Sequence, residues 1–371
     1  MTSKTPAQPI DADILATLRQ QADVSIDEMR RAGAESDFAA LVYEQLDAVV
    51  AGEERTTLRR TLGPAAHASA AVEAVRTREV VSVLDALNAH AIHPILIKGT
   101  PLAHTIYQSP AARAHEDTDL VFRYEQIHDI RRCMRRLGYV EPLLSDGPLL
   151  FRQFQMCRRD TWGIDHPFDF HWQISSQSAF ADLLSYDELA AAAVPVPRLG
   201  PHARAAGPLH ALLLACVHPV MHHRNAERFV WLLDIHLLAS RLSSGELEQF
   251  TRMAVGKQVG AVCAHQLERC RSRLGTPVSD AVIARLAARA PREATAAYLR
   301  TARRWHNDLA SNLRGMARLS DRVRLLRQVC FPGAQYMLAA YGLGNRGRPV
   351  LPLLYVHRNL AGLWKILRGR K

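Results

Sequence analysis

Residues 92–122 constrain this chain more than any other stretch, because the hydrophobic pattern changes there from a helical period to a strand period and back. Residues 92–97, Ile-His-Pro-Ile-Leu-Ile, form a short apolar run that fits a strand buried on both faces better than a helix of that length. Pro94 puts any ladder pairing after it, and Gly99 ends the run. Thr100 suits a helix N-cap and Pro101 the first helical position, so a short helix is expected from there towards Tyr107. A second strand follows over 117–122. Asp117 and Asp119, two apart in it, project from one face while Thr118, Leu120 and Phe122 pack behind.

The flanking segments fall into two helical blocks. The first dozen residues, with Pro6 and Pro9, read as a frayed leader. From there to residue 90 the pattern is helical, with apolar spacings of three and four at Val75, Val80, Val83, Leu84 and Leu87. A helix is expected over 124–137, with Ile127, Ile130, Met134 and Leu137 on one face and Gly138 as its stop. Residues 149–157 and 167–174 read as an antiparallel strand pair. A Pro/Ala-rich connection over 190–208, with an extended piece near 194–199, leads into helices that run to the end. Gly207-Pro208 opens an apolar helix disturbed at Pro219 and ending near Arg224-Asn225, and Phe331-Pro332-Gly333 sets off the last helices.

A chain of 371 residues exceeds the usual size of one compact domain. The expected architecture is α+β in three parts: a leader and helical preface over 1–90, a small mixed-sheet α/β unit over 91–206, and a helical domain with a basic C-terminal tail over 207–371.

The formal charge of +11 is not evenly spread. Residues 291–371 hold 16 Lys/Arg against three acids, a balance of +13, so the remainder carries 31 basic against 33 acidic residues, or −2. A segregated basic segment is a footprint for an anionic partner such as nucleic acid or a membrane surface, or else a solvated helix face. The residues at its end, from 350 to 371, mix Leu, Tyr, Trp and Ile with Arg and Lys; they suit an anionic membrane or RNA, and fit better still a packed terminal helix with a frayed basic end. Six cysteines without a Cys-x-x-Cys pair, and an N-terminus without a charged region followed by an apolar core, fit the cytoplasm. No stretch has the roughly 18 uninterrupted apolar residues of a spanning helix.

The carboxylates carry the chemistry. Two on one strand face make a hard oxygen site suited to Mg²⁺, which takes one or two carboxylates together with substrate phosphates and waters. Asp169 in Pro167-Phe-Asp-Phe-His-Trp172 shares a strand face with His171. If its strand neighbours the first, three acids converge and can hold two metal ions about 4 Å apart. Gly99 permits close backbone approach to a phosphate and Lys98 adds a nearby positive charge. Farther along, His218 and His222 stand four apart, with His223, Asp234 and His236 nearby in sequence. Pro219 lies between the pair and no Glu follows the first His, as a zinc protease would require. A structural or acceptor-binding role therefore fits better than a transition-metal site.

Leu96-Ile-Lys-Gly-Thr-Pro-Leu102, Tyr107, Arg113-x-x-x-Asp117-Thr-Asp-Leu-Val121 and Asp169-Phe-His-Trp172 together resemble the uncharacterised nucleotidyltransferases of the DNA polymerase β-like superfamily. The similarity continues through Leu212-Leu-Leu-Ala-Cys-Val-His218, His222 and Arg228-Phe-Val-Trp-Leu-Leu-Asp234, and more weakly to Pro332, Tyr341 and Leu354-Tyr-Val-His-Arg358. The resemblance implies a palm-like fold with Asp117 and Asp119 as paired metal ligands, Asp169 as the third acid, and nucleotide contacts from Lys98, Gly99, Thr100 and Arg113. Gly99-Thr100 departs from the family's Gly-Gly or Gly-Ser turn, and the gap to Asp117 is longer than in many members. His171, His218, His222 and Arg228 are the candidate acceptor-binding residues.

The expected activity is Mg²⁺-dependent transfer of a nucleoside monophosphate from a nucleoside triphosphate to an acceptor hydroxyl. A small molecule or peptide fits as acceptor better than nucleic acid, because the catalytic half is not basic. The alternatives are transfer to RNA or protein guided by the basic tail, and a non-catalytic binding module on the same fold. Oligomeric state is left open.

Overall fold

The computed structural model of the protein describes residues 39–49, 52–142, 152–300, 305–316 and 318–367. The expected leader, the first part of the helical preface, residues 149–151 of the expected strand and residues 368–371 of the basic tail lie outside the described residues. Helices α1 (Ala39–Val49) and α2 (Gly52–Asn88) precede β1 (Ile95–Ile97), α3 (Gly99–Thr105), β2 (Thr118–Val121), α4 (Ile127–Arg136), β3 (Gln153–Arg159) and β4 (Asp165–His171). Two short helices intervene before β5 (Val194–Pro195) and β6 (Arg204–Ala205). The helical block comprises α5 (Pro208–His222), α6 (Phe229–Ala239), α7 (Ser244–Gly256), α8 (Gly260–Leu274), α9 (Asp280–Ala287), α10 (Trp305–Gly315), α11 (Leu319–Cys330), α12 (Ala334–Ala340) and α13 (Leu351–Leu367). This is the expected α+β architecture, a mixed sheet flanked by helices before and after it.

The sheet has the order β3-β4-β2-β1-β6-β5. β2 runs antiparallel to β1 and parallel to β4, and β3 and β4 form a hairpin. Alternation along these strands sorts the side chains onto two faces. Leu96, Leu120, Phe122, Phe154, Met156, Phe168 and Phe170 point to one, where they pack with Val80, Val83, Leu84 and Leu87 of α2 and Ile130 and Met134 of α4. Ile95, Ile97 and Val121 point to the other, into a core shared with α3 and with helices α5 to α9. One continuous core thus joins the sheet to the helical block.

Full burial of a phenylalanine contributes roughly 1.5–3 kcal/mol. Phe122, Phe168 and Phe170 are each at most 1% exposed. Together they fix which face of β2 and β4 looks inward. A slip of one residue would turn the aromatic set out and the acids in.

Three local details differ from the sequence expectation. The helix after β1 starts at Gly99, with Lys98 as its cap residue at φ 60°. The Thr100 hydroxyl does not cap it and instead donates to Asp117 O (3.2 Å), with Thr118 Oγ1 also within hydrogen-bonding distance (3.3 Å), tying the turn to β2. The hairpin strands are shifted towards their turn, because Asp160 Oδ1 accepts from the backbone N–H groups of Trp162 and Ile164 (2.9 Å each) and closes it. Finally, α5 runs unbroken through Pro219, which is buried in the core and whose carbonyl accepts from His223 N (3.1 Å) and Asn225 N (2.9 Å). Arg224 and Asn225, at φ 52° and 56°, then turn the chain away.

Candidate active site

The parallel pairing of β2 with β4 aligns Asp119 directly with Asp169 across the strands. His171, two residues on from Asp169, lies on the same face. One ligand atom from each of Asp119, Asp169 and His171 falls within 4.8 Å of the others. Asp117 immediately precedes β2 and stands outside that group of three, although its charge acts on the others. The donor set, carboxylates with one imidazole, fits a divalent cation, and the imidazole widens the fit from Mg²⁺ towards Mn²⁺ and Zn²⁺. His171 Nδ1 is buried without a hydrogen-bond partner in the structure.

Lys98 Nζ and His171 Nε2 both reach Asp119 Oδ1, at 2.6 and 2.7 Å. Burial alone would raise the Asp119 carboxyl, but Lys98 and His171 override it and hold it well below the usual carboxylate range. For Lys98, burial works against the charged form, and Asp119 reverses it so that the ammonium is held firmly. Lys98 acts on Asp117 as well, but burial and the charge of Asp119 outweigh it and push Asp117 up to about 7. Asp169 is also raised, by burial and by Asp119. Each of its oxygens accepts from a glutamine on β3, Oδ2 from Gln153 (3.0 Å) and Oδ1 from Gln155 (2.9 Å).

Gly99 is needed here for space. A Cβ on it would lie 2.9 Å from Arg113 Nη1 and 3.1 Å from His115 Cβ. Arg113 itself is turned to Asp234 on α6, with Nη2 donating to Oδ2 (2.7 Å) and Nε to Oδ1 (3.2 Å). Tyr107 donates to the same Oδ1 at 2.7 Å. All three are buried, so this network fastens the α3 side of the site to the helical block.

A second clamp comes from α2. Glu73 faces His104 on α3 and His115 in the segment before β2, at 3.1 Å each. Burial would raise the Glu73 carboxyl, but the hydrogen bonds and charges of the two histidines hold it at about 2. Arg76, one turn further along α2, donates to the carbonyl of His115. The Gly99 turn and the segment leading into Asp117 are thereby braced from the same helix.

A cavity of about 590 Å³ opens beside these groups. Lys98, Gly99, Asp117 and Asp119 line it with His218, His223, Arg228 and Trp231 from the helical block, and Leu102, Ile106, Ala211, Leu214 and Val230 supply apolar wall. The ring of His218 lies 5.7 Å from that of His222, 4.8 Å from His223 and 5.3 Å from Trp231. The Arg228 guanidinium sits over Trp231 at 5.2 Å. Burial and the charge of Lys98 lower His218 well below its usual range. The same two causes lower His222, which is enclosed on the protein side and open to solvent at the rim. These imidazoles are therefore neutral hydrogen-bonding groups at neutral pH.

The structure thus gathers Lys98, Gly99, Asp117, Asp119, Asp169 and His171 into one site, with His218 and Arg228 on the cavity wall and His222 beside His218. Thr100 and Arg113 are close by but hold the frame. Glu73, His104, His115, Gln153 and Gln155 were not foreseen. The two glutamines had a visible signal, the Gln-Phe-Gln alternation that puts both on the face of Asp169. Glu73 had none, because nothing local marks one acid of a long helix as a partner for histidines far along the chain.

A protein-family model described as an uncharacterised nucleotidyltransferase matches residues 23–275, a span that includes every group in this site. No curated protein matches the chain.

Proposed function

This chain belongs to the uncharacterised nucleotidyltransferase family and is a transferase of nucleotidyl groups; from that premise we propose that it moves a nucleoside monophosphate from a nucleoside triphosphate to an acceptor hydroxyl, with two Mg²⁺ ions assisting. The observation that carries this reading is the in-register pairing of Asp119 with Asp169 at the edge of the cavity. Asp117, Asp119 and Asp169 would hold the ions, with His171 close enough to Asp119 and Asp169 to add a ligand. When bound, such ions neutralise the triphosphate and its departing pyrophosphate and make the acceptor hydroxyl more acidic.

In the transfer the acceptor oxygen bonds to the α-phosphorus, the bond from that phosphorus to the bridging oxygen breaks, and pyrophosphate leaves. Asp169, whose carboxyl is raised by burial and by Asp119 and is oriented by hydrogen bonds from Gln153 and Gln155, is suited to receive the acceptor's proton. Lys98 offsets triphosphate charge, and Gly99 lets the backbone come close to it. Arg113 contributes by holding the turn through Asp234. His218, His222 and Arg228, set against apolar wall, suit a small-molecule or peptide acceptor that is held by hydrogen bonds and contact area.

The test is incubation of the protein with each α-labelled nucleoside triphosphate, Mg²⁺ and cell extract, followed by identification of the labelled product. Label should pass to a small molecule or peptide, and Asp119→Ala should abolish the transfer. Full transfer by that variant would refute the assignment. Calorimetry that found no nucleotide binding at all would point to a non-catalytic module.

A further inference from the structure

The exposed apolar surface of the described residues is concentrated near the C-terminus. Apart from Tyr124, Val140 and Trp162, the exposed large hydrophobic side chains all lie between Leu319 and Trp364. On α13, Leu353, Val356, Leu360 and Leu363 are 69, 56, 61 and 54% exposed. Their spacing alternates between three and four, which makes a single stripe along the helix. The opposite side of α13 is anchored: Tyr355 OH donates to Pro332 O (2.7 Å) and Asn359 Nδ2 to Cys330 O (3.0 Å). The stripe is therefore held outward by the packing of the helix. On α11, Leu319, Val323 and Leu326 are exposed in the same way beside exposed Arg318, Arg324 and Arg327.

We propose that this face docks on the surface of an anionic phospholipid bilayer, with the α13 stripe at the level of the headgroups and the arginines on lipid phosphates. The charge selects the occupant. Residues 309–371 contain one acid, Asp321, among many arginines, so a second copy of the chain that met the stripe with its own stripe would bring like charge and almost nothing to pair it. RNA fits less well because α13 presents four exposed aliphatic side chains and a single exposed aromatic, Trp364, whereas single-stranded nucleic acid is held by successive stacking side chains. An apolar helix face flanked by arginine matches a lipid surface that is apolar beneath and negative above. Among the described residues no helix is long and apolar enough to cross a membrane, so α13 would lie along the surface.

The 371-residue chain is tested by co-sedimentation with vesicles of phosphatidylcholine alone and of phosphatidylcholine with phosphatidylglycerol. Binding is expected to the anionic vesicles only, falling roughly tenfold or more in Leu360→Glu/Leu363→Glu and weakening at high salt. Arg324→Glu/Arg327→Glu should weaken it as well. Thermal melting of both variants should match the parent, because all four side chains are exposed. Absence of binding to anionic vesicles overturns the proposal, as does undiminished binding by both folded variants. A doubled mass in light scattering that the leucine variant halves would assign the stripe to a second copy, and RNA binding lost in the same variant would assign it to RNA. Either result overturns it.

Discussion

Glu73→Gln is the most informative single change for the frame of this site. The carboxylate holds His104 and His115 at 3.1 Å each. Keeping its carboxyl at about 2 instead of the usual 4.5 corresponds to about 3 kcal/mol of differential interaction between its two protonation states. Glutamine keeps the shape and can hydrogen-bond one imidazole, so the expected loss is about 2–3 kcal/mol. The sign follows from the depressed carboxyl: its contribution is complete above about 4.5 and is lost as pH falls through about 2. The assay is urea denaturation of parent and variant between about pH 6 and about pH 3, read as a difference in midpoint at unchanged slope. The deficit should be largest at about pH 6 and should narrow below about 4.5, where the parent loses what the variant never had. Equal midpoints at the upper pH, or a deficit that stays constant down to the lower one, would refute the clamp.

Two further outcomes follow from the same geometry. Asp234→Asn leaves the buried Arg113 without its counter-charge, so calorimetry should show a destabilisation of roughly 3–5 kcal/mol; an unchanged melting temperature would mean that Arg113 finds another partner. Asp117 is pushed up to about 7 and must lose its proton to become a ligand, so Mn²⁺ affinity measured by titration calorimetry should rise between about pH 6 and about pH 8 and then level. An affinity that is flat across this range would exclude Asp117 from the metal set.

Much of the site could be read from the chain. The Ile95–Ile97 run, the Gly99 turn, the Asp117/Asp119 spacing and the Asp169/His171 alternation each depend on a few neighbouring residues. Their periods of two and of three to four are fixed by backbone geometry, which is why they survive into the fold. The family resemblance rests on those same local runs. The family model over residues 23–275 covers those runs through Asp234 and does not reach the weaker similarity at Pro332, Tyr341 and residues 354–358.

What remained hidden depends on distances between parts of the chain that are remote in sequence. That Asp119 meets Asp169 follows from β2 lying parallel to β4, and this pairing is selected by packing Phe122, Phe168 and Phe170 against α2 and α4. The turn position of Lys98 suits a phosphate contact; only the fold shows that its ammonium also pairs with Asp119, because burial makes an unpaired charge too costly to leave there. The same cost joins Arg113 to Asp234 and Glu73 to its two histidines. Taken alone, the sequence determined the elements, the acids and the basic tail. Tertiary structure decided which charges face one another, since that depends on low-dielectric contacts between segments that no local pattern records.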